Sequence, residues 1–463
     1  GIAAGCKTSE NRKHTHVYGE WQTINEATSD NSGLEERRCT GCKAKDTRTI
    51  PEISEISYSI TYDFDGGEVD GAVFDSLPKE YKKTDADISI NISPYKRKNI
   101  FVGWSAGDSA PTKNYIIESG CEGDLVLTAC YVADTTCFYD GKSVDVLPDV
   151  VSQYLKAKNK ADYLYKFYND EIVGDSAVKS VKLDWSDSGT GGFKLVVAKD
   201  EKFENAVYTE DTTETSAELY NLIPDAAYFY KITDENGNIV KSDSFKLANE
   251  LRTIYCGNVT NVRDLGGTET ADGKINYGLI YRAPEIVNAD DVAKNVLVNQ
   301  LGIKTEIDLR KKSTTKSISG SINKQVLGIL QWDYIFNGID SDRAFDSESV
   351  DTLKKIFKLF ADETNYPIVF HCSAGADRTG TIAFLLKGLL GASYEDLAED
   401  FEITSFYMGR RWRSGIGRKR GVYVFDESGA MQDDVDNLVS FDRCYYHIMK
   451  TYKASGGTFS DAI

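Results

Sequence analysis

The chain has 463 residues, 41% of them hydrophobic, a formal net charge of −18 at pH 7 and a pI near 4.8. This length exceeds what one hydrophobic core usually organises, so we predict several domains. Nucleic-acid affinity rests on basic residues that meet phosphates, so the negative charge argues against a nucleic-acid partner. No run of eighteen apolar residues occurs, and we therefore predict no membrane-spanning helix.

Residues 1–51 form a small polar module that contains cysteines. Its Cys-Thr-Gly-Cys stretch has the spacing of a zinc knuckle. The candidate ligands of a tetrahedral zinc site are Cys6, His14, His16, Cys39 and Cys42. A redox-active pair, or two reduced cysteines in a turn, is the alternative; we favour these over bound zinc and predict no bound metal. The module resembles short cysteine-containing modules of surface proteins of Gram-positive anaerobes.

The chain opens with GIAAGC, in which small residues precede a cysteine. This pattern is compatible with the end of a trimmed lipoprotein export signal, or with an arbitrary start of the sequence. The nine cysteines of the chain are too few and too scattered to predict a disulfide framework.

Residues 52–133 predict a small β-domain, because alternating and aromatic strands are separated by Gly and Asp turns. Three stretches occur in order: ITYDFDGG, FVGWS and GDLVLTACY. They resemble the β-grasp-like repeat of internalins and related surface proteins. The resemblance implies a spacer or a binding module.

Residues 134–177 predict a helical connector that packs on a neighbour, because the stretch VVSQYLKAKNKADYLYKFYND has helical apolar spacing and lacks Gly and Pro. Residues 178–248 then show short alternating strands at the spacing of a β-sandwich. Leu222, Pro224 and Tyr228 form an LxPxxxY arrangement that resembles the tyrosine corner of fibronectin type III domains. We expect Trp185 and this corner to be core.

Residues 249–463 alternate strands with helices, which predicts an α/β domain with a central, mostly parallel sheet flanked by helices. One junction in it carries chemistry: HCSAGADRTG (371–380) lies between the apolar runs PIVF and TIAFLLKGLL. We predict that a strand ends at His371, that a helix begins near Arg378 and runs to Gly391, and that Asp377 or Thr379 caps it.

The residues of this junction fit the binding of a phosphate ester. The small residues Ser373, Ala374, Gly375 and Ala376 leave backbone N–H groups and the positive helix end free to meet phosphate oxygens. The same field should lower the pKa of the Cys372 thiol, which makes it a nucleophile. Arg378 follows six positions later, and its planar guanidinium can hold two oxygens at once.

The stretch HCSAGADRTG resembles the signature loop of the cysteine-dependent tyrosine phosphatase superfamily. Four further stretches match, in order, the bacterial tyrosine and serine phosphatase family: NVRDLGG (261–267), LIYRAPEI (279–286), LGIKTEIDLR (301–310) and AEDFEITSFYM (398–408). The resemblance covers about residues 250–410. It implies that Cys372 forms a phosphocysteine, that Arg378 binds the phosphoryl group, that the Thr379 hydroxyl assists breakdown of the intermediate, and that no cofactor or metal takes part.

The general acid that protonates the leaving group is left open among four aspartates. They are Asp340, Asp342, Asp377 and Asp308. The resemblance favours Asp340 and Asp342 nearly equally, because many members of the superfamily carry the acid on a mobile loop about thirty residues before the cysteine. Asp377 ranks next and Asp308 last.

Several neighbouring residues are candidates for supporting roles. They are Arg263, Asp264, Asp308, Arg310 and His371. Asp308 is alternatively a strand-end carboxylate that pairs with Arg263 or Arg310, and we expect Asp264 to fix a turn. Phosphoinositide-accepting members of the family carry lysine where this chain has Ala376, which weakens the case for lipid activity.

Residues 408–421 (MGRRWRSGIGRKRG) hold six cations in an otherwise acidic chain. They would steer polyanionic substrates, or form a solvated helix face or an internal salt-bridge partner for the acidic surface.

Taken together, these features predict an exported or cell-surface, monomeric phosphatase. Its expected substrates are phosphotyrosine, with phosphoserine or phosphothreonine as further ones, on a protein or a small ester, and its β-modules would meet a cell-surface ligand. One alternative is a phosphoinositide or inositol-phosphate phosphatase, which the basic stretch favours. The other is a surface adhesin with an inactive phosphatase domain, against which the intact Cys372 and Arg378 argue.

Overall fold

The computed structural model describes residues 15–53, 56–186, 191–329 and 347–407. In these residues, no helix is both long and apolar enough to cross a membrane.

The N-terminal module is a three-stranded antiparallel sheet in the order β1-β2-β3. Its strands are β1 (Gln22–Asn25), β2 (Gly33–Arg38) and β3 (Lys45–Ile50). The faces of these strands are largely exposed. The sheet therefore contributes little core of its own.

The second module is a four-stranded sheet in the order β5-β4-β9-β7, in which β4 and β9 run parallel. Its elements are β4 (Ser57–Asp63), α1 (Gly71–Ser76), β5 (Glu80–Lys82), β6 (Ile88–Ile90), β7 (Asn99–Ala106), β8 (Tyr115–Ile117) and β9 (Leu125–Ala133). Trp104 is fully buried. Gly103 before it has φ +143°, and a Cβ there would lie 2.5 Å from the backbone of Thr112. The Gly-Trp pair is thus a packing requirement.

The third module pairs a five-stranded sheet, in the order β10-β16-β15-β12-β13, with the two-stranded sheet β11-β14. Its strands are β10 (Ser143–Val144), β11 (Val181–Asp184), β12 (Phe193–Ala198), β13 (Ala206–Thr212), β14 (Ser216–Leu219), β15 (Tyr228–Asp234) and β16 (Ile239–Leu247). Trp185 lies in the core, and the Tyr228 hydroxyl donates to the carbonyl of Ile223 at 2.7 Å. β10 belongs to this sheet, although residues 143–144 fall in the predicted connector.

The connector forms two helices, α2 (Asp149–Lys156) and α3 (Lys160–Tyr168). They pack on the C-terminal domain, where Tyr154 and Phe167 contact Phe406. The Tyr154 hydroxyl also donates to the Glu402 carboxylate at 2.5 Å. The connector is therefore part of the support of that domain.

The C-terminal domain is built on a six-stranded sheet in the order β17-β18-β21-β24-β22-β23. Its strands, with the hairpin β19-β20, are β17 (Thr253–Ile254), β18 (Val262–Asp264), β19 (Glu269–Thr270), β20 (Gly273–Lys274), β21 (Ile280–Ala283), β22 (Thr305–Asp308), β23 (Asn323–Val326) and β24 (Ile368–His371). The four strands from β21 to β23 in this order are parallel, and β17 and β18 are antiparallel.

Helices cover both faces of this sheet. They are α4 (Asp291–Asn295), which continues as a π-helix (Val296–Gln300), α5 (Ser347–Phe360), α6 (Asp377–Leu389) and α7 (Tyr394–Ile403), with short 3-10 turns at Glu363–Asn365 and Thr404–Phe406. Successive residues of the central strand β24 alternate: Val369 packs on the α4 side, and Phe370 on the side of α5 and α6. The segment that follows β24 leaves the sheet at its carboxyl edge, where open α/β sheets bind ligands.

Candidate active site

Cys372 directly follows β24 and lies below the first turn of α6. It is 3% exposed. The helix begins at Asp377, with Ala376 at the N-cap and no side-chain cap hydrogen bond. The predicted capping by Asp377 or Thr379 is therefore wrong, because both residues already lie inside the helix. The helix ends at Leu389, two residues before the predicted end.

The loop between Cys372 and α6 is shaped by Gly375. This residue has φ +68°, and a Cβ there would lie 2.9 Å or less from the backbone of Ala283 and Pro284. No L side chain fits that position without strain. The loop is tied to the same segment by the Glu285 N–H, which donates to the Ser373 carbonyl at 3.1 Å.

The surroundings of Cys372 lower the pKa of its thiol. Burial acts in the opposite direction and is the largest single influence. It is outweighed by the favourable influence of the Thr379 hydroxyl and N–H and of the Ala376 N–H, together with the charge of Arg378. The thiolate at the N-terminus of α6 is thus stabilised, as a cysteine nucleophile requires.

Arg378 is half-buried at the rim of the loop, with Nη2 donating to the Ser373 Oγ at 3.2 Å. Asp377 beside it is also half-buried, and its carbonyl accepts from the Thr381 hydroxyl at 2.9 Å. The Arg378 guanidinium therefore lies on the loop that carries the Cys372 thiolate. Its side-chain hydrogen bond to that loop goes to the neutral hydroxyl of Ser373. A phosphate above the loop would meet both groups.

A buried ion cluster, which the sequence reasoning missed, lies behind the loop. The carboxylate of Asp400 on α7 forms salt bridges with Nη1 of Arg282 at 2.5 Å and with Nη2 of Arg263 at 3.2 Å. Burial opposes ionisation of Asp400, but the cations Arg282, Lys387 and Arg263 hold the pKa of its carboxyl well below the usual range. Arg282 and Asp400 belong to the quoted stretches LIYRAPEI and AEDFEITSFYM, so the signal was present in the sequence.

This cluster contacts the loop directly through Arg282. Its Nη2 donates to the Gly375 carbonyl at 2.7 Å. Burial lowers the pKa of Arg282 to about 10. Arg282 is thus a positioning residue that joins α7 to the left-handed turn of the loop.

Asp308 and His371 end the two strands β22 and β24, and both are fully buried. Asp308 pairs with Arg310 at 2.8 Å and with Lys324 at 3.1 Å. Burial opposes ionisation, but the hydrogen bonds from Arg310 and Ser313 hold the pKa of Asp308 well below the usual range. Of the two predicted arginine partners the structure selects Arg310, since Arg263 binds Asp400. A carboxylate held ionised in this way is a poor proton donor.

His371 accompanies a second carboxylate of β22. Its Nε2 lies 3.0 Å from Glu306, which Lys324 also contacts at 2.8 Å. Glu306, Asp308 and His371 bring potential metal-ligand atoms together. Lys324 already supplies a cation between the two carboxylates, so this cluster is explained without a metal.

Asp264 lies at the end of β18 and holds backbone groups. Its Oδ1 accepts from the Gly266 N–H at 2.8 Å, and its Oδ2 accepts from the Gly278 N–H and from Arg252, each at 2.8 Å. These contacts give Asp264 the geometry of a turn-fixing residue.

Other predicted residues lie outside the described part of the chain. They are Asp340 and Asp342, the basic stretch 408–421, and the zinc candidates Cys6 and His14.

Comparison with known proteins finds a family match for the C-terminal domain. Residues 254–459 match the model of the tyrosine phosphatase family. The chain is similar to OCA1 of Meyerozyma guilliermondii, a provisionally assigned tyrosine-protein phosphatase, with 28% identity over 129 residues, 26% of this chain and 65% of that protein. It is also similar to H16_A0669 of Cupriavidus necator, another provisionally assigned tyrosine-protein phosphatase, with 26% identity over 188 residues, 36% of this chain and 68% of that protein.

A solved structure is also similar: the core catalytic domain of the PP-IP phosphatase SIW14 from S. cerevisiae in complex with citrate. The identity is 16%, over 35% of this chain and 82% of that chain, with a TM-score of 0.23.

The chain spans 65% of the OCA1 sequence, just under two thirds of its length. The match of residues 254–459 to the tyrosine phosphatase family, together with relatives named tyrosine-protein phosphatase, supports the assignment of this domain as a phosphatase enzyme.

Proposed function

We propose that this chain hydrolyses phosphate monoesters through a cysteinyl-phosphate on Cys372, as a member of the bacterial tyrosine and serine phosphatase family. The observation that carries the proposal is the thiol of lowered pKa at the N-terminus of α6, with Arg378 on the same loop. The helix end and the loop N–H groups favour a bound dianion.

In the first step the Cys372 Sγ attacks phosphorus. The S–P bond forms as the P–O bond to the leaving group breaks, and a carboxylic acid gives that oxygen its proton. Arg378 stabilises the charge on the transferred oxygens. In the second step the carboxylate left by the first step takes a proton from a water molecule, the water oxygen attacks phosphorus, the S–P bond breaks, and inorganic phosphate leaves. The Thr379 hydroxyl is buried and has no hydrogen-bond partner among the described residues, so it can donate to the departing thiolate and stabilise it.

The proposed substrate is a phosphotyrosine ester, with phosphoserine and phosphothreonine esters as further substrates. Phosphoinositide-accepting family members carry lysine at the position of Ala376. The alanine offers no cation there, and it is buried. The basic stretch 408–421 supports the alternative of an inositol phosphate, whose several phosphates would need such cations.

We further propose that the β-modules are an internalin-type repeat and a fibronectin type III-like sandwich, and that they hold the catalytic domain at the cell surface. The parallel pair β4 and β9 with α1 supports the first, and the hydrogen bond of Tyr228 to Ile223 supports the second. Protease treatment of intact source cells tests the location: loss of the chain is expected, and full protection would contradict it.

The activity is tested by turnover of phosphotyrosine peptide, phosphoserine peptide, phosphoinositide and inositol hexakisphosphate by the full chain. Phosphopeptide turnover that disappears in Cys372→Ser is the expected result. A matched control is Cys256→Ser, because Cys256 is equally buried but lies against α4. Preference for inositol hexakisphosphate would select the alternative substrate, and no turnover of any ester would favour an inactive adhesin.

A further inference from the structure

Three side chains of the N-terminal module bring ligand atoms for a soft metal ion to one point. They belong to His16, Cys39 and Cys42, and their ligand atoms all lie within 4.8 Å of one another. The Sγ of Cys42 is 3.2 Å from the Nδ1 of His16. The two residues are 26 positions apart, so the fold creates this approach rather than local spacing.

The backbone holds the three side chains in this arrangement. The stretch that carries His16 is fixed to the cysteine turn by the Thr40 N–H, which donates to the Val17 carbonyl at 2.8 Å, and by the bridge between Tyr18 and Cys39. The Lys43 N–H donates back to the Cys39 carbonyl at 3.0 Å, with Lys43 at φ +66°. This tight reversal turns both thiols toward His16.

The module needs a stabiliser that its side chains do not supply. Across residues 15–53, all of which the structure describes, Cys39 is the one hydrophobic residue that is buried. The exposed faces carry Arg37 stacked on Tyr18 and Trp21, which are surface contacts of modest energy. A sheet of this size normally depends on disulfides or a structural metal, because it cannot bury enough apolar surface.

We propose that the module binds one Zn²⁺ through His16, Cys39 and Cys42. Two thiolates and an imidazole are a ligand set of structural zinc sites, and the CxxC spacing is typical of one half of such a site. Binding displaces the thiol protons and links the chain before β1 to the turn between β2 and β3, so metal binding stabilises the fold of the module. The fourth position of the tetrahedron would be taken by water.

This site is independent of the proposed phosphatase chemistry. It uses none of the residues around Cys372, and its ligands lie in a separate sheet. The site favours zinc among the three interpretations of the CxxC pair. Zinc requires a third ligand atom beside the two thiols, whereas a redox pair or a simple turn does not.

The test measures metal on the purified full chain. Zinc content after gel filtration, and cobalt titration of the metal-free chain, are determined for the parent and for Cys39→Ser, Cys42→Ser and His16→Asn. We expect one zinc per parent chain and a thiolate-to-cobalt charge-transfer band, with both lost in the two cysteine variants. Cys121→Ser is the matched control, since this exposed thiol lies in the next module and should leave the metal content unchanged.

Phosphatase turnover of each variant shows whether the rest of the chain has folded, so loss of metal with full turnover supports the site. Several results would overturn the proposal. They are a parent without zinc and without the cobalt band, zinc retained in the double variant of Cys39 and Cys42, and mass spectrometry showing a Cys39–Cys42 disulfide in the parent.

Discussion

The Arg282 guanidinium donates to the carbonyl oxygen of Gly375 at 2.7 Å, which fixes the left-handed turn of the loop that follows Cys372. The other end of the same guanidinium is held by Asp400 at 2.5 Å. The position of the loop therefore depends on a charge pair buried between β21 and α7.

Replacement of Arg282 by Gln should slow turnover by about 10-fold or more, because the loop loses its tie and a mispositioned donor costs transition-state stabilisation. It also leaves Asp400 with less charge compensation, so about 3–5 kcal/mol of stability should be lost. The measurements are kcat and KM together with the denaturant midpoint. A fall in stability without any fall in kcat would restrict Arg282 to a structural role.

Cys372 and Cys256 provide a pair of buried thiols with opposite pKa shifts. The helix end, Thr379 and Arg378 outweigh burial at Cys372 and lower its pKa, whereas burial raises the pKa of Cys256 to about 12. Iodoacetate should therefore inactivate the enzyme at neutral pH by alkylating Cys372, and Cys256 should stay unmodified. Peptide mapping after limited alkylation checks this. Equal labelling of both thiols would contradict a selectively activated nucleophile.

The same shift predicts a pH dependence of stability. The folded-state pKa of Cys372 is lowered, so its stabilising contribution is present above the unfolded pKa of a thiol and is lost as pH falls through the folded pKa. The Cys372→Ala variant should lose this part of the dependence. Thermal unfolding of both proteins from alkaline to acidic pH, starting above the unfolded pKa of a thiol, measures it, and parallel curves would show that the thiol contributes no such dependence.

Arg378→Lys should cost on the order of 100-fold or more in kcat, because a lysine cannot hold two phosphoryl oxygens in one plane. Arg97→Lys is the control, since Arg97 forms ion pairs in the β-modules. Steady-state turnover of a phosphopeptide separates the two. A loss of only a few-fold at Arg378 would mean that its positive charge alone is needed.

The general acid is tested by the nature of the leaving group. Asp340→Asn or Asp342→Asn should slow release of alkyl alcohols much more than release of p-nitrophenol, which departs readily as an anion. The basic limb of the kcat profile should flatten in the same variant. Asp308→Asn should instead lower stability, because Arg310 and Lys324 would lose their buried partner. Discrimination between leaving groups in Asp377→Asn alone would place the acid on the loop.

Treatment with a strong chelator should affect the proposed zinc site and not the site around Cys372. We expect it to remove zinc from the N-terminal module and to leave kcat unchanged, because the proposed phosphoryl transfer uses Cys372 and Arg378 rather than a metal. Parallel metal analysis and turnover measurements on the same sample give both quantities. A fall in kcat that zinc restores would link the metal to catalysis.

The strand, turn and helix around Cys372 could be predicted from sequence because their signals are local. The apolar run before His371, the small residues 373–376 and the apolar run after Arg378 specify a strand, a turn and a helix within a single stretch. The spacing of Cys372 and Arg378 belongs to that same stretch. The predicted helix cap was wrong because the chain is already helical at Asp377, with Ala376 at the N-cap, and an apolar pattern does not fix a helix start to a single residue.

Tertiary structure alone decided the contacts between distant segments. Asp400 meets Arg263 and Arg282 across more than a hundred residues, because α7 packs against the strands that carry the two arginines. Asp308 pairs with Arg310, two positions away, because packing of α7 gives Arg263 to Asp400. His16 reaches Cys42 only through strand pairing around Cys39. Composition and periodicity indicate which residues are buried or need a polar partner. The packing of the helices and strands determines which partner each residue meets.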